Sequence, residues 1–162
     1  MSIQIYQGWI MTATSPSETT SRAQWISALA KALPEELEQA WTDWADKPEY
    51  AALRGPEIGL VMVQARAGGN GAPFNLGEMT MTRCSVRLAS GTTGHGYVAG
   101  RNPLQAELAA VFDAVAQDPA RRENFLDQVL APMLQARLKR ERTQQTQAAN
   151  TKVEFFTMVR GD

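Results

Sequence analysis

The stretch from about Gly77 to Leu88 alternates so strictly that it fits only a strand with two unlike faces. Thr80, Thr82, Cys84, Val86 and Leu88 point one way, and Met79, Met81, Arg83, Ser85 and Arg87 the other. The first set predicts a face turned to a core. The second predicts an open face carrying two arginines, about 13 Å apart at the strand repeat. A strand of this kind needs a helical or sheet layer over its apolar side.

The flanking segments supply that layer. Trp25, Ile26, Leu29 and Leu33 recur at helical spacing behind a capping Ser21. Pro34, followed by Glu35 and Glu36, opens a second helix that carries Leu37, Trp41 and Trp44 and stops near Pro48. The tryptophans read as core or interface. Ile58–Arg66 reads as a strand, the run Arg66-Ala67-Gly68-Gly69-Asn70-Gly71 as a turn, and His95–Ala99 as a third strand after the turn at residues 90–94. Asn102 as cap and Pro103 as first residue start a helix with Leu104, Leu108, Val111, Phe112 and Val115 on one stripe, Glu107 lying at its edge. A further helix covers about Arg122 to Arg142, kinked or broken at Pro132, and Thr143–Asn150 reads as linker or frayed helix. Lys152–Arg160 reads as a strand. The predicted fold class is α+β: an antiparallel sheet with an N-terminal helical hairpin, two further helices and a C-terminal strand that pairs with its own or a partner's sheet. Residues 1–20 read as a flexible N-terminal extension, with Met11 an alternative start to Met1. Residues 21–162 read as one domain with a tail at 151–162.

Charge is unevenly placed. The total is −1, but residues 1–53 hold 3 basic and 7 acidic groups, whereas 54–101 holds 5 basic and 2 acidic. All five are arginines: Arg54, Arg66, Arg83, Arg87 and Arg101. Their planar forks suit carboxylate or phosphate. The near-neutral total gives no reason to expect nucleic acid or a membrane as partner, and no run approaches the ~20 apolar residues of a spanning helix. With one Cys (Cys84) and one His (His95), the chain forms no internal disulfide and lacks the ligands of a His/Cys zinc site. A cytoplasmic location is expected, and no metal site.

Each candidate has a plainer reading beside the functional one. Gly68, Gly69 and Gly71 with Arg66 form an anion cradle or an ordinary β-turn; the spacing favours the turn, since neither a P-loop lysine nor a helix follows. Arg83 and Arg87 face an anion, a partner's carboxylates or solvent, and the methionines beside them, Met79 and Met81, favour a partner surface. His95 and Glu107 are the weak catalytic candidates, His95 being more often structural in such a position. Cys84 reads as an inert core thiol, and the run Arg137–Arg142 as a solvated helix end. Phe155, Phe156, Met158 and Val159, with Arg160, form an apolar tail that has to pair with some sheet or groove.

One pattern spans most of the chain: Arg66-x-Gly68-Gly69-x-Gly71-x-x-Phe74-x-x-Gly77-Glu78-x-Thr80-x-Thr82-Arg83-x-x-Val86-Arg87-Leu88. It continues through Gly94-x-x-Tyr97-x-x-Gly100-Arg101 and Ala106-Glu107 to Asp113-Ala114, and closes with Phe155-Phe156-Thr157-Met158-Val159-Arg160-Gly161-Asp162. From about residue 22 onward this resembles the PhnG family, the small G subunits of the bacterial carbon–phosphorus lyase complex. Asn102 and Gln105 depart from it, standing where a family member has Asp and His.

The resemblance implies phosphonate catabolism within a core of subunits G, H, I and J. With subunits H, I and L, such a chain supports formation of α-D-ribose 1-methylphosphonate 5-triphosphate from MgATP and methylphosphonate, releasing adenine. The nucleosidase chemistry falls to subunit I and the iron–sulfur radical cleavage to subunit J. A chain with one cysteine cannot hold such a cluster. The resemblance therefore implies a transferase subunit that is not catalytic alone, carries no cofactor of its own and docks chiefly on subunit I. Two other roles stay open: Arg66, Arg83, Arg87 or Arg101 binding the triphosphate directly, and a free-standing nucleotide- or RNA-binding module.

Overall fold

The helix predicted to be amphipathic turns out to be the centre of the molecule. The computed structural model describes residues 20–68 and 70–150, apart from the side chains of 149 and 150. Within it α3 (Pro103–Gln117) is buried on nearly every side from Leu108 to Ala116. The stripe predicted only one buried face. Alanines 106, 109, 110, 114 and 116 let other elements approach the remaining faces closely. Leu104, placed on the stripe from its spacing, is instead 48% exposed.

Beneath α3 lies an antiparallel sheet of order β1-β2-β3, formed by β1 (Tyr50–Arg66), β2 (Pro73–Leu88) and β3 (Thr93–Ala99). Thr82, Cys84, Val86 and Leu88 are buried against the helix, as the alternation predicts, with Val98 from β3 beside them. Gly94 and Gly96 fix how close α3 comes. A Cβ built on either would stand 2.0 Å from a carbonyl oxygen of α3, Ala110 O and Ala106 O respectively. Only glycine fits there.

The outer faces of α3 are covered by α1 (Arg22–Lys31), α2 (Pro34–Asp43) and a helical rod. Trp25 and Trp44 are core residues; Phe112 packs edge-on against Trp41 and Trp44, with centroids 5.9 and 6.0 Å away. Leu33 is 44% exposed, because the first helix ends before it and Leu33 caps the second. The rod comprises α4 (Pro119–Phe125), a π-helical turn (Leu126–Leu130) and α5 (Ala131–Asn150). Pro132 is thus carried without a break: the wider turn just before it accommodates the missing N–H donor and the ring. The rod starts at Pro119, earlier than expected, and Thr143–Asn150 is helix, not linker. Accordingly Arg137–Arg142 lies within a helix rather than at its end. Arg137 pairs with Glu141 at 2.7 Å, and Arg140 pairs with Glu36 of α2.

The strands are longer than the sequence suggests. Pairing of β2 with β3 runs only from Met81↔Ala99 to Arg87↔Thr93. Beyond it, β1 and β2 continue alone as a two-stranded arm, Leu60↔Thr80 through Arg66↔Pro73. Register shifts between Ala52 and Arg54, and between Arg54 and Glu57, absorb Pro56 at the sheet edge, where a strand tolerates it. The predicted N-terminal extension and C-terminal strand lie outside the described residues, except that Thr20 is described.

Candidate functional site

Among the residues singled out from sequence, Asp113 has the densest set of partners. It is fully buried on α3, and its Oδ1 accepts from Trp25 Nε1 at 2.9 Å and Arg22 Nε at 3.1 Å. Its Oδ2 accepts from Arg22 Nη2 at 2.7 Å and the backbone N–H of His95 at 2.9 Å. The hydrogen bond to Asp113 holds the Arg22 guanidinium above its ordinary pKa. One carboxylate thus joins α1, β3 and α3, and neutralisation with full hydrogen bonding is what a buried charge requires. This part of the quoted signature serves the scaffold.

Glu107 lies at the edge of the stripe, as expected. Its Oε1 accepts from Tyr50 Oη at 3.0 Å, and no arginine of the central region is among its hydrogen-bond or ion-pair partners. Burial, and then that bond, pushes Tyr50 up to about 12. Cys84 lies nearby, 1% exposed, its thiol raised by burial and donating to Arg54 O at 3.4 Å. That environment suits an unreactive thiol.

His95 lies on the opposite side of the sheet. Its Nδ1 is 2.9 Å from Ser85 Oγ, its cross-strand partner. Sequence reasoning missed this couple because only the β2–β3 register reveals it. It does not extend to a catalytic triad, since Asp113 meets the backbone of His95 rather than its ring. Glu107 and His95 are therefore on different faces and do not converge.

The outer face also holds Met79, Met81, Arg83, Arg87 and Tyr97, half or fully exposed. Arg83 bonds Glu57 Oε2, with Nη2 at 3.0 Å, and Arg54 approaches the same carboxylate at 3.8 Å. Such exposed pairs contribute about 0.2–1 kcal/mol, so a ligand or partner displaces them at little cost. At the arm's tip Gly68 has φ +60, Gly71 N–H donates to Ala67 O at 2.9 Å, and Arg66 Nη1 donates to Gly71 O at 3.1 Å. The described residues of the glycine loop make a hairpin turn with Arg66 folded onto it, and Gly69 lies outside the described residues. Arg87 and Arg101 are exposed, and no hydrogen bond or ion pair engages their side chains among the described residues. Phe155, Phe156, Met158 and Arg160 lie outside those residues.

The two departures from the signature hold scaffold positions. Asn102 Oδ1 caps α3 by accepting from Gln105 N–H at 3.0 Å, and the buried Gln105 side chain donates to Ala32 O at 2.9 Å. Two shallow concavities, one on α5 and one between α2 and the rod, are lined by residues such as Glu35, Asp43, Met133 and Arg142. Neither contains a residue of the sheet. No helix among the described residues is long and apolar enough to cross a membrane.

The fold and this distribution define an α+β chain whose signature residues build a scaffold around α3 and leave an arginine-bearing sheet face open. The model of the family "Phosphonate metabolism protein PhnG" matches residues 20–161, and the chain belongs to that family. It is 47% identical over 142 residues to a Rhizobium meliloti (strain 1021) protein, Alpha-D-ribose 1-methylphosphonate 5-triphosphate synthase subunit PhnG. The similarity covers 87% of this chain and 90% of that relative.

Proposed function

We propose that this PhnG-family chain, a subunit of alpha-D-ribose 1-methylphosphonate 5-triphosphate synthase, acts there by assembly rather than by catalysis. The observation that carries this reading is the separation of its titratable candidates. Glu107 is held by Tyr50 on the helix-covered face, and His95 by Ser85 on the open one. General acid–base work needs such groups within hydrogen-bond reach of one reacting centre, and these two face opposite sides of the sheet. In this role the open face, with Met79, Met81 and Arg83, and the tail with Phe155, Phe156, Met158 and Arg160 dock on the catalytic subunit I, in a cytoplasmic complex with subunits H and J, and with L for the synthase reaction. MgATP is substrate of the complex, and the iron–sulfur cluster belongs to subunit J.

A second reading has a specific observation in its favour. Arg87 and Arg101 are exposed and unengaged among the described residues, which suits a phosphate group arriving from another subunit's site. A free-standing nucleotide- or RNA-binding module has less support, since of the rings on the three-stranded part of the open face His95 is already held by Ser85 and Tyr97 stands beside it without a row of further aromatics among the described residues.

Truncation after Asn150 tests the docking role of the tail. The shortened chain is expected to lose co-purification with subunit I while keeping its helical circular dichroism. Undiminished co-purification would remove the tail from the account.

A further inference from the structure

The β1–β2 arm has an inner face that continues the core face of the sheet past the end of α3. By cross-strand register, Ile58 and Leu60 of β1 lie on the same side as Thr82 and Thr80 of β2, and Met62 lies opposite Glu78. Leu76 follows toward the tip, whereas beyond the register shift between Val63 and Gln64, Phe74 pairs with Ala65 and belongs to the other face. Nothing among the described residues covers these side chains: Ile58 is 50% exposed, Leu60 63%, Met62 53% and Leu76 65%. Together they expose on the order of 400 Å² of mostly apolar surface, as much as the largest single patch of a typical monomer. Among the described residues both edges of the arm are also open, because β3 stops at Ala99 and the last bond toward β2 is Gly100 N–H to Thr80 O at 2.8 Å. A two-stranded ribbon with free edges and an uncovered apolar face is marginal in water by itself.

The area and the charge say what covers it. Specific interfaces bury about 800 Å² on each partner, so the arm's inner face with its rim provides most of one side of such a contact. Glu78 stands within the patch, and no hydrogen bond or ion pair engages its carboxylate among the described residues. Two copies packed arm to arm would bring two such carboxylates into one dry interface, at the cost of like-charge repulsion. A different polypeptide avoids this by placing a lysine or arginine opposite Glu78.

We propose that the inner face of the β1–β2 arm docks a non-identical subunit that presents an apolar surface with one basic side chain facing Glu78. This rests on the reading of the chain as a synthase subunit, and adds a surface distinct from the Met/Arg face.

The test co-expresses the full-length chain with the other subunits of its synthase and compares wild type, Leu60→Asp/Leu76→Asp and Glu78→Arg. The arm side chains stand outside the core, so the near-ultraviolet circular dichroism of the tryptophans should be unchanged in all three. The double variant is expected to weaken association about a hundredfold or more, and Glu78→Arg about tenfold or more. Amide hydrogen exchange at residues 60–66 and 73–79 should be fast in the isolated chain and slowed in the complex. Wild-type assembly together with undiminished assembly of the double variant would overturn the arm proposal and leave the subunit reading standing. Failure of the wild type to join any other subunit would overturn both. Arm amides already protected in the isolated chain would assign the face to a second copy or to the chain's own tail, against the proposal.

Discussion

Trp25 donates its indole N–H to Asp113 at 2.9 Å, tying α1 to α3 across 88 residues of sequence. The same carboxylate holds Arg22 and the backbone of His95, so one buried group fixes how the N-terminal hairpin, the sheet edge and the central helix meet. Asp113→Ala leaves several buried donors and the Arg22 charge without a partner, and is expected to cost about 3–5 kcal/mol. Asp113→Asn keeps the shape and one acceptor and should cost less. Urea unfolding followed by tryptophan fluorescence checks both; an Ala variant within 1 kcal/mol or so of wild type would show that the hub does not stabilise the fold.

Gly94→Ala or Gly96→Ala places a methyl group 2.0 Å from a backbone oxygen of α3, which cannot yield without moving the whole helix. Each is expected to destabilise by about 3 kcal/mol or more, or to prevent folding. Gly59→Ala, where nothing lies within 4 Å of the added atom, is the matched control and should change thermal unfolding little.

Tyr50 gives stability a pH dependence of definite sign. Its hydroxyl is pushed from 10.0 to about 12, first by burial and then by Glu107, while in the unfolded chain it titrates near 10. Between pH 10 and 12 the unfolded state releases this proton and the folded state retains it. The stabilisation present below pH 10 therefore falls away as pH rises through that window. Denaturation at stepped pH should show the decline, with a shallower slope for Tyr50→Phe; equal slopes would contradict the assignment.

Cys84 is expected to react with a thiol reagent only as the chain unfolds, because it is 1% exposed and its thiol is raised. The labelling rate should follow the unfolding rate as denaturant is varied. Rapid labelling of the native chain would place the thiol at an accessible surface.

What was legible in the sequence was whatever depends on local period and caps. The two faces of residues 80–88, the Asn102 cap with Pro103, the helical hairpin and the buried tryptophans all read out of neighbouring residues. What was not legible depends on tertiary contact. The full burial of α3 follows from elements that approach its alanines, and the couple Ser85–His95 from a register ten residues apart. Pro132 inside a rod ran against local propensity, and of the two readings of residues 143–150, linker or frayed helix, the helical one holds. Asp113 stood within the recognised signature, but its role required knowing that Arg22, Trp25 and His95 converge on it. The arm escaped notice because an alternating apolar strand looks the same in sequence whether or not anything covers it.

The most direct test of the account uses reconstituted synthase in which Arg83, Arg87 and Arg101 are each changed to alanine. Purified complexes of verified stoichiometry are assayed for the KM of MgATP. Assembly through this chain predicts that any loss appears as reduced subunit incorporation, with KM unchanged in the complexes that form. A rise of tenfold or more in KM for fully assembled Arg87→Ala or Arg101→Ala, about 1.4 kcal/mol of lost phosphate contact, would contradict it and make the chain part of the substrate site.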